Sequence, residues 1–284
     1  LGLSTTPAAA TTASTTITDD LLAEYTDLAT LCASLDGQAW QQATAFHGWT
    51  PWDEVAHLCY FDETALVATH DPVRFAREAA ALSERSARGE QISAIARARY
   101  GHLDGPALLA EWRRHHQALV LALAALDPKA RLPWYGPPMS ARSFATARLM
   151  ETWAHGQDIW DAAGRRRPAS ARLKHIAHLG VTTFGWTFVN RGLAVPDLGP
   201  NAAPFVALQA PDGSTWTWGD PGAEHHVSGT AEDFCLLVTQ RRHVADTALQ
   251  YSAGPVASWL QMAQCFAGAP ADGPAPGARQ VRGG

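Results

Sequence analysis

Residues 143–161, SFATARLMETWAHGQDIWD, decide how the rest of the chain is read. At about 100° per residue, a helix here puts Phe144, Ala147, Glu151, His155, Asp158 and Ala162 on one face. Leu149, Met150, Trp153, Ile159 and Trp160 take the other sides. A helix that is apolar nearly all round is a buried one, so its Glu, His and Asp stripe points into protein rather than water. Buried without partners, a carboxylate and an imidazole would be strongly destabilising. A carboxylate and a histidine at i and i+4 can share one divalent cation, which makes Glu151 and His155 candidate metal ligands. The spacing alone is weak, because helices use it for ordinary surface pairs. Glu111 and His115 supply the contrast. In residues 106–126, PALLAEWRRHHQALVLALAAL, the apolar stripe runs through Leu109, Trp112, His116, Leu119, Leu123 and Leu126 and leaves that pair beside it, as a solvated edge.

The 284 residues suffice for one large domain or two smaller ones with their own cores. With 46% hydrophobic and 17% charged residues, the profile is globular. A net charge of −5 leaves no basic surplus to neutralise phosphates, which argues against a nucleic-acid partner. Cys32, Cys59, Cys235 and Cys265 show no CxxC spacing and read as buried small hydrophobes in a reducing compartment. No apolar run reaches the roughly 18–20 residues a bilayer span needs, and no charged region suited to a targeting signal opens the sequence. The expectation is a cytoplasmic protein with no membrane partner, a monomer or a homodimer.

In chain order, the Ala/Thr-rich residues 1–17 read as a disordered tail. Asp19 or Asp20 then caps a helix with the stripe Leu21, Leu22, Tyr25, Leu28, Leu31 and Leu35. A second helix starts with Thr50 as N-cap, Pro51 at the first helical position, and Asp53 and Glu54 at the positive end of the dipole. One of its faces carries His57, Phe61, Thr64 and Ala68, so His57 also points inward; taken alone, it reads as a core histidine bonded to a backbone carbonyl. After two further helices and the 106–126 helix comes RLPWYGPPMS, a Pro-rich loop whose Trp134 and Tyr135 either wall a ligand pocket, as cofactor-binding residues, or simply pack the loop. Residues 18–165 thus hold about four long helices, a bundle with His57, Glu151 and His155 facing inward. A connecting helix is expected over 166–195, with His175 and His178 structural. From 196 to 268 the period changes to a small α+β unit. FVALQA, STWTWG and HHVSG are strands with PDG as a hairpin turn, AEDFCLLVTQRRH is helical, TALQYSAG returns as a strand and PVASWLQMAQCF closes as a helix. Residues 269–284 read as a second disordered tail.

With GWTPWDEVAHL, METWAHGQD and VSGTAEDFCLLVTQRRH all in view, the chain resembles the mycothiol-dependent maleylpyruvate isomerase-like proteins of the DinB superfamily. It looks closest to their actinobacterial branch labelled wyosine-base-formation-like, and the resemblance covers most of residues 18–268. It implies a DinB-like four-helix bundle followed by a small sterol-carrier-like α+β domain. It also implies a divalent metal, zinc by type, on His57, Glu151 and His155, and a low-molecular-weight thiol such as mycothiol as co-substrate for isomerisation or S-transfer on a small anionic or electrophilic metabolite. An arginine of the second domain reaches the site in the isomerase, and Arg241 or Arg242 in TQRRH stands at the matching motif. TQRR departs from the more usual WGRR-like ending, and the PWYGPPMS loop belongs to the branch rather than to the isomerase, so maleylpyruvate itself is not implied. Asp158, one turn past His155, either orients an imidazole as a catalytic auxiliary or pairs with a nearby arginine. Two alternatives stay open: a metal-hydroxide hydrolase or lyase on the same scaffold, and a non-catalytic module binding a small ligand or a metal.

Overall fold

The structure is a computed structural model and describes residues 15–199 and 203–280; the outer parts of both expected tails, 1–14 and 281–284, lie outside the described residues. Helix α1 spans Ile17–Ala33. Its cap is Thr16 rather than Asp19 or Asp20. The Thr16 hydroxyl accepts from the Asp19 backbone N–H while the Asp19 carboxylate reaches back, a capping box that ends the expected tail early. Helix α2, Pro51–His70, starts as its sequence predicts, on Thr50 with Asp53 closing the box. There follow α3 (Pro72–Ala87), α4 (Ile92–Tyr100), α5 (Gly105–Ala124) and α6 (Ala141–Ala162). Helices α2 and α1 each pack against both α5 and α6, which makes the four-helix bundle, while α3 and α4 flank α2. The Pro-rich loop is pinched at its base by two short antiparallel strands, β1 (Arg131–Leu132) and β2 (Met139–Ser140).

The segment expected as one connecting helix is two, α7 (Leu173–Thr182) and α8 (Phe184–Asn190). They break at Thr183, whose hydroxyl donates to the Leu179 carbonyl. The α+β unit is a mixed four-stranded sheet of β3 (Phe205–Gln209), β4 (Thr215–Trp218), β5 (His226–Thr230) and β6 (Gln250–Tyr251), in the order β4-β3-β5-β6. Central β3 pairs antiparallel to β4 across the Pro211–Asp212–Gly213 turn and parallel to β5, setting Val206 opposite both Trp218 and Val227. Helices α9 (Ala231–Val238) and α10 (Pro255–Met262) complete it. Helix α7 lies so close to α9 that a Cβ at Gly180 would sit 2.8 Å from Phe234.

Three expectations fail here for physical reasons. The helix expected through TQRRH stops at Val238, because Gln240 turns left-handed at φ 57° while the Arg241 N–H bonds back to the Leu236 carbonyl. That turn takes Arg241 and Arg242 off the helix axis and lays them against α6. The C-terminal segment, expected as a tail, is packed as far as residue 280. Arg191 holds Asp272 at 2.9 Å, the Asp246 carboxylate accepts from Gly277 N–H, and Arg279 donates to the Gln240 carbonyl at 2.8 Å. A composition rich in Ala, Gly and Pro conceals docking that rests on backbone groups and two arginines. His115 also departs from the solvated edge: it is buried, with Nδ1 3.5 Å from Cys59 Sγ and Nε2 3.4 Å from Glu111. His175 pairs with Asp20 and His178 accepts from Trp218, so the two histidines serve separate contacts.

The bundle is pinned at its centre by Asp62 of α2, which is wholly buried. Its carboxylate accepts from Tyr25 Oη at 2.7 Å, Trp112 Nε1 at 2.8 Å and Arg148 Nε at 2.8 Å, joining α1, α5 and α6 through one residue. Asp62→Ala strands a buried guanidinium and two buried donors, so it should destabilise the protein by roughly 3–5 kcal/mol. Urea or guanidinium denaturation with the slope unchanged is the check; a midpoint within error of the parent would contradict this account.

Candidate metal centre

One layer above Asp62, α2 and α6 bring His57, Glu151 and His155 together, with one ligand atom from each lying within 4.8 Å of the others. Glu151 Oε2 is 3.4 Å from His155 Nε2 and 3.9 Å from His57 Nε2, and the two imidazole centroids are 4.3 Å apart. Helical spacing sets Glu151 and His155 one turn apart on α6; the packing of α2 on α6 supplies His57. Burial pushes the His155 imidazole down to about 3, with His57 adding to the effect, and burial also lowers His57. Both rings are thus neutral donors. Burial works against an ionised Glu151, but hydrogen bonds with His155 and His57 outweigh it and hold the carboxyl well below its ordinary value. His57 Nδ1 is buried without a hydrogen-bond partner among the described residues. Two neutral imidazoles around one carboxylate form a donor set that suits a divalent metal and leaves a coordination position open.

What orients His155 is Glu54, three residues ahead of His57 on α2. Its Oε2 lies 2.7 Å from His155 Nδ1, which holds the ring with Nε2 turned toward Glu151. Burial, then Asp158, pushes the Glu54 carboxyl well up, while Arg241 and the Thr44 hydroxyl pull the other way. Sequence reading assigned Glu54 to the helix dipole. The signal available was its place one turn before His57 and seven residues before Phe61, close to the same face.

Asp158 takes the other of its two sequence readings. Its Oδ2 accepts from Arg241 Nε at 3.0 Å and Nη2 at 2.8 Å. A second cluster of possible ligands, Glu54, His155 and Asp158, is therefore already served by the guanidinium of Arg241, whose Nη2 comes within 3.5 Å of His155 Nδ1. Arg242 is further off, with its two Nη atoms on Asp161 at 2.7 and 2.9 Å. Trp134 and Tyr135 stand one layer out. Trp134 stacks on Phe75 and meets Phe144 edge-on at 4.8 Å, Tyr135 meets Phe61 at 5.6 Å, and Phe61, 4.8 Å from His57, links them to the centre.

Sequence reading missed the loop before α2. Thr44 N–H donates to the Trp49 carbonyl at 2.7 Å and Phe46 N–H to the Thr44 hydroxyl, a tight turn that swings two rings onto the site. Trp49 stacks on His155 at 5.9 Å and Phe46 meets it edge-on at 5.4 Å. Of the three candidate ligands, Glu151 is the most exposed, at 24%, against 13% for His57 and 6% for His155.

Residues 21–160 match the family described as the mycothiol maleylpyruvate isomerase N-terminal domain. Two uncharacterized proteins of Mycobacterium tuberculosis, from strains CDC 1551 / Oshkosh and ATCC 25618 / H37Rv, are each 43% identical over 255 residues, covering 89% of this chain and 96% of theirs. The chain belongs to their family. A crystal structure of the mycothiol-dependent maleylpyruvate isomerase is similar with a TM-score of 0.51 at 14% identity, covering 79% of this chain and 91% of that one. A histidine-to-alanine mutant of that enzyme matches equally. At that identity the likeness is one of fold: a helical bundle followed by a unit with a mixed sheet. No helix among the described residues is long and apolar enough to cross a membrane.

Glu54→Gln keeps the size of the side chain but replaces the carboxyl that faces Nδ1. It should weaken zinc binding by about 10–100-fold, the usual cost of losing such a partner, measured by competition with a chromogenic chelator. Unchanged affinity would remove Glu54 from the site.

Proposed function

We propose that the protein is a metal-dependent enzyme that activates a low-molecular-weight thiol, mycothiol or a close analogue, for isomerisation or S-transfer on a small anionic or electrophilic metabolite. The observation that carries the reading is the convergence of two neutral imidazole nitrogens on one carboxylate oxygen, at the floor of a partly open, aromatic-lined site. Zinc fits these three donors, and three protein ligands rather than four are the pattern of a catalytic rather than a structural site. A divalent metal there would supply positive charge that favours the anionic form of a bound thiol or water near neutral pH.

The chain's own residues prepare that chemistry. Glu54 orients the His155 ring, Phe46 and Trp49 pack against it, and Arg241 adds a fixed positive charge beside the imidazole. No cysteine offers a nucleophile. All four are buried; burial pushes the Cys32 thiol up to about 12 and raises Cys59, Cys235 and Cys265 as well. The reactive sulfur, in this reading, arrives with the co-substrate. The names of the matched family and of the similar solved enzyme support that choice of thiol.

Purified protein should take up about one zinc per chain, and His57→Ala should lose most of it while His175→Ala, on α7 and paired with Asp20, keeps it. Elemental analysis after exhaustive dialysis reads this directly, and equal metal in both variants would sink the ligand assignment. Turnover, screened with electrophilic metabolites, should require added thiol and survive Cys265→Ser. Full activity in rigorously thiol-free buffer would instead promote the hydrolase or lyase alternative on the same three ligands.

A further inference from the structure

Arg241 and Arg242, the motif arginines expected to meet an anion, are committed to Asp158 and Asp161. Arg279 is not. It is more than nine-tenths buried, yet among the described residues it forms no ion pair, and its single hydrogen bond runs from Nη1 to the Gln240 carbonyl. Its Nε and Nη2 donors are unspent, and neither figures among the buried polar atoms cut off from solvent. A guanidinium with Nε and Nη2 free and open to solvent presents the two-pronged edge that matches a carboxylate.

Its position ties this edge to the metal centre. Arg279 Cζ lies 5.0 Å from the centroid of Phe46, Arg241 Cζ lies 4.5 Å from the same ring, and that ring sits 5.4 Å from His155. Burial disfavours the Arg279 charge; Asp158 and Glu54 favour it from a distance, and Arg241 and Arg242 oppose it. The placement is built rather than incidental. The C-terminal segment is fastened by Arg191 to Asp272, by Gln240 to the Ala271 carbonyl, and by Asp246 to Gly277 N–H just before Arg279.

We infer that Arg279 is the substrate-recognition arginine of this site, receiving the carboxylate of a small organic anion through Nε and Nη2 beside the His57–Glu151–His155 centre. This deepens the function proposed above and rests on it for the identity of the neighbouring centre. It assigns specificity to a residue more than a hundred positions beyond the matched N-terminal domain, which ends at 160.

The test is calorimetric titration of malonate, with acetate as the single-carboxylate comparison, into the full chain, both metal-stripped and zinc-loaded. Malonate should bind both forms, and Arg279→Gln should weaken it by about tenfold or more in each, the usual loss for a charged hydrogen bond. Arg279→Lys, which keeps the charge over Phe46 but not the fork, should weaken it less, and it carries the test alone if the glutamine variant does not fold. Equal malonate affinity in parent and variants overturns the inference, as does a parent that binds no malonate when metal-stripped. A fall in melting temperature with malonate affinity intact overturns it too, by making Arg279 a structural strap. If the protein takes up no zinc but malonate binding still depends on Arg279, the metal reading fails and the inference stands.

Discussion

Helix α6 takes four ionisable side chains out of water and leaves a fifth, Glu151, partly open, and each is met by a side chain from α2 or from the turn after α9. Arg148 meets Asp62 of α2, Glu151 lies against His57, His155 bonds Glu54, Asp158 holds Arg241, and Asp161 holds Arg242. Removing either partner of such a buried pair leaves an unmatched charge, which is far more destabilising than the pair itself is stabilising. The requirement therefore acts as a specification. It fixes the register of α2 along α6 and the place where the α+β unit docks.

That docking explains why the two halves form one site. The left-handed turn at Gln240 aims Arg241 and Arg242 back at α6, and Arg241 also donates to the Ala154 carbonyl. On the far side, Arg167 and Arg172 converge on Glu24 of α1, so the link into α7 is held by buried charge as well. Apolar packing would tolerate small slips of one unit over the other, because it is non-directional. Guanidinium forks on carboxylates tolerate much less, since both the distance and the plane are prescribed.

Much of this was legible in the sequence wherever a signal was local. The Thr50–Pro51–Asp53 start of α2, the buried Glu151 and His155 stripe and the Pro211–Asp212–Gly213 hairpin follow from residue type and spacing within one element. Features set by tertiary pairing were not. Glu54 looks like an ordinary acid in a first helical turn until His155, 101 residues away, is placed 2.7 Å from it. His115 looks like a surface partner of Glu111 until Cys59 closes over it. Trp134 and Tyr135 are equally good in the sequence as a pocket wall or as loop packing, and nothing within the loop itself says that both rings meet Phe61 and Phe75. Arg279 sits in a stretch whose composition says tail, because composition cannot register backbone hydrogen bonds made by Gly277 or received by Gln240.

The vertical order of the buried groups separates stability from chemistry. Asp62, with three donors and no exposure, saturates its carboxylate and leaves nothing to react. One layer above it, His57 keeps an unpartnered ring nitrogen, Glu151 stays partly open to solvent, and both imidazoles are held neutral by burial. A protein that needed this upper layer only for packing would gain by replacing two histidines and a glutamate with apolar residues of similar volume, as buried ionic groups often can be. The lower layer already ties α1, α2, α5 and α6 together without them. The upper one is thus free to be tuned for a ligand, and its surroundings are graded to match: carboxylate and guanidinium below and beside the imidazoles, aromatic rings against them, and a partly exposed Glu151.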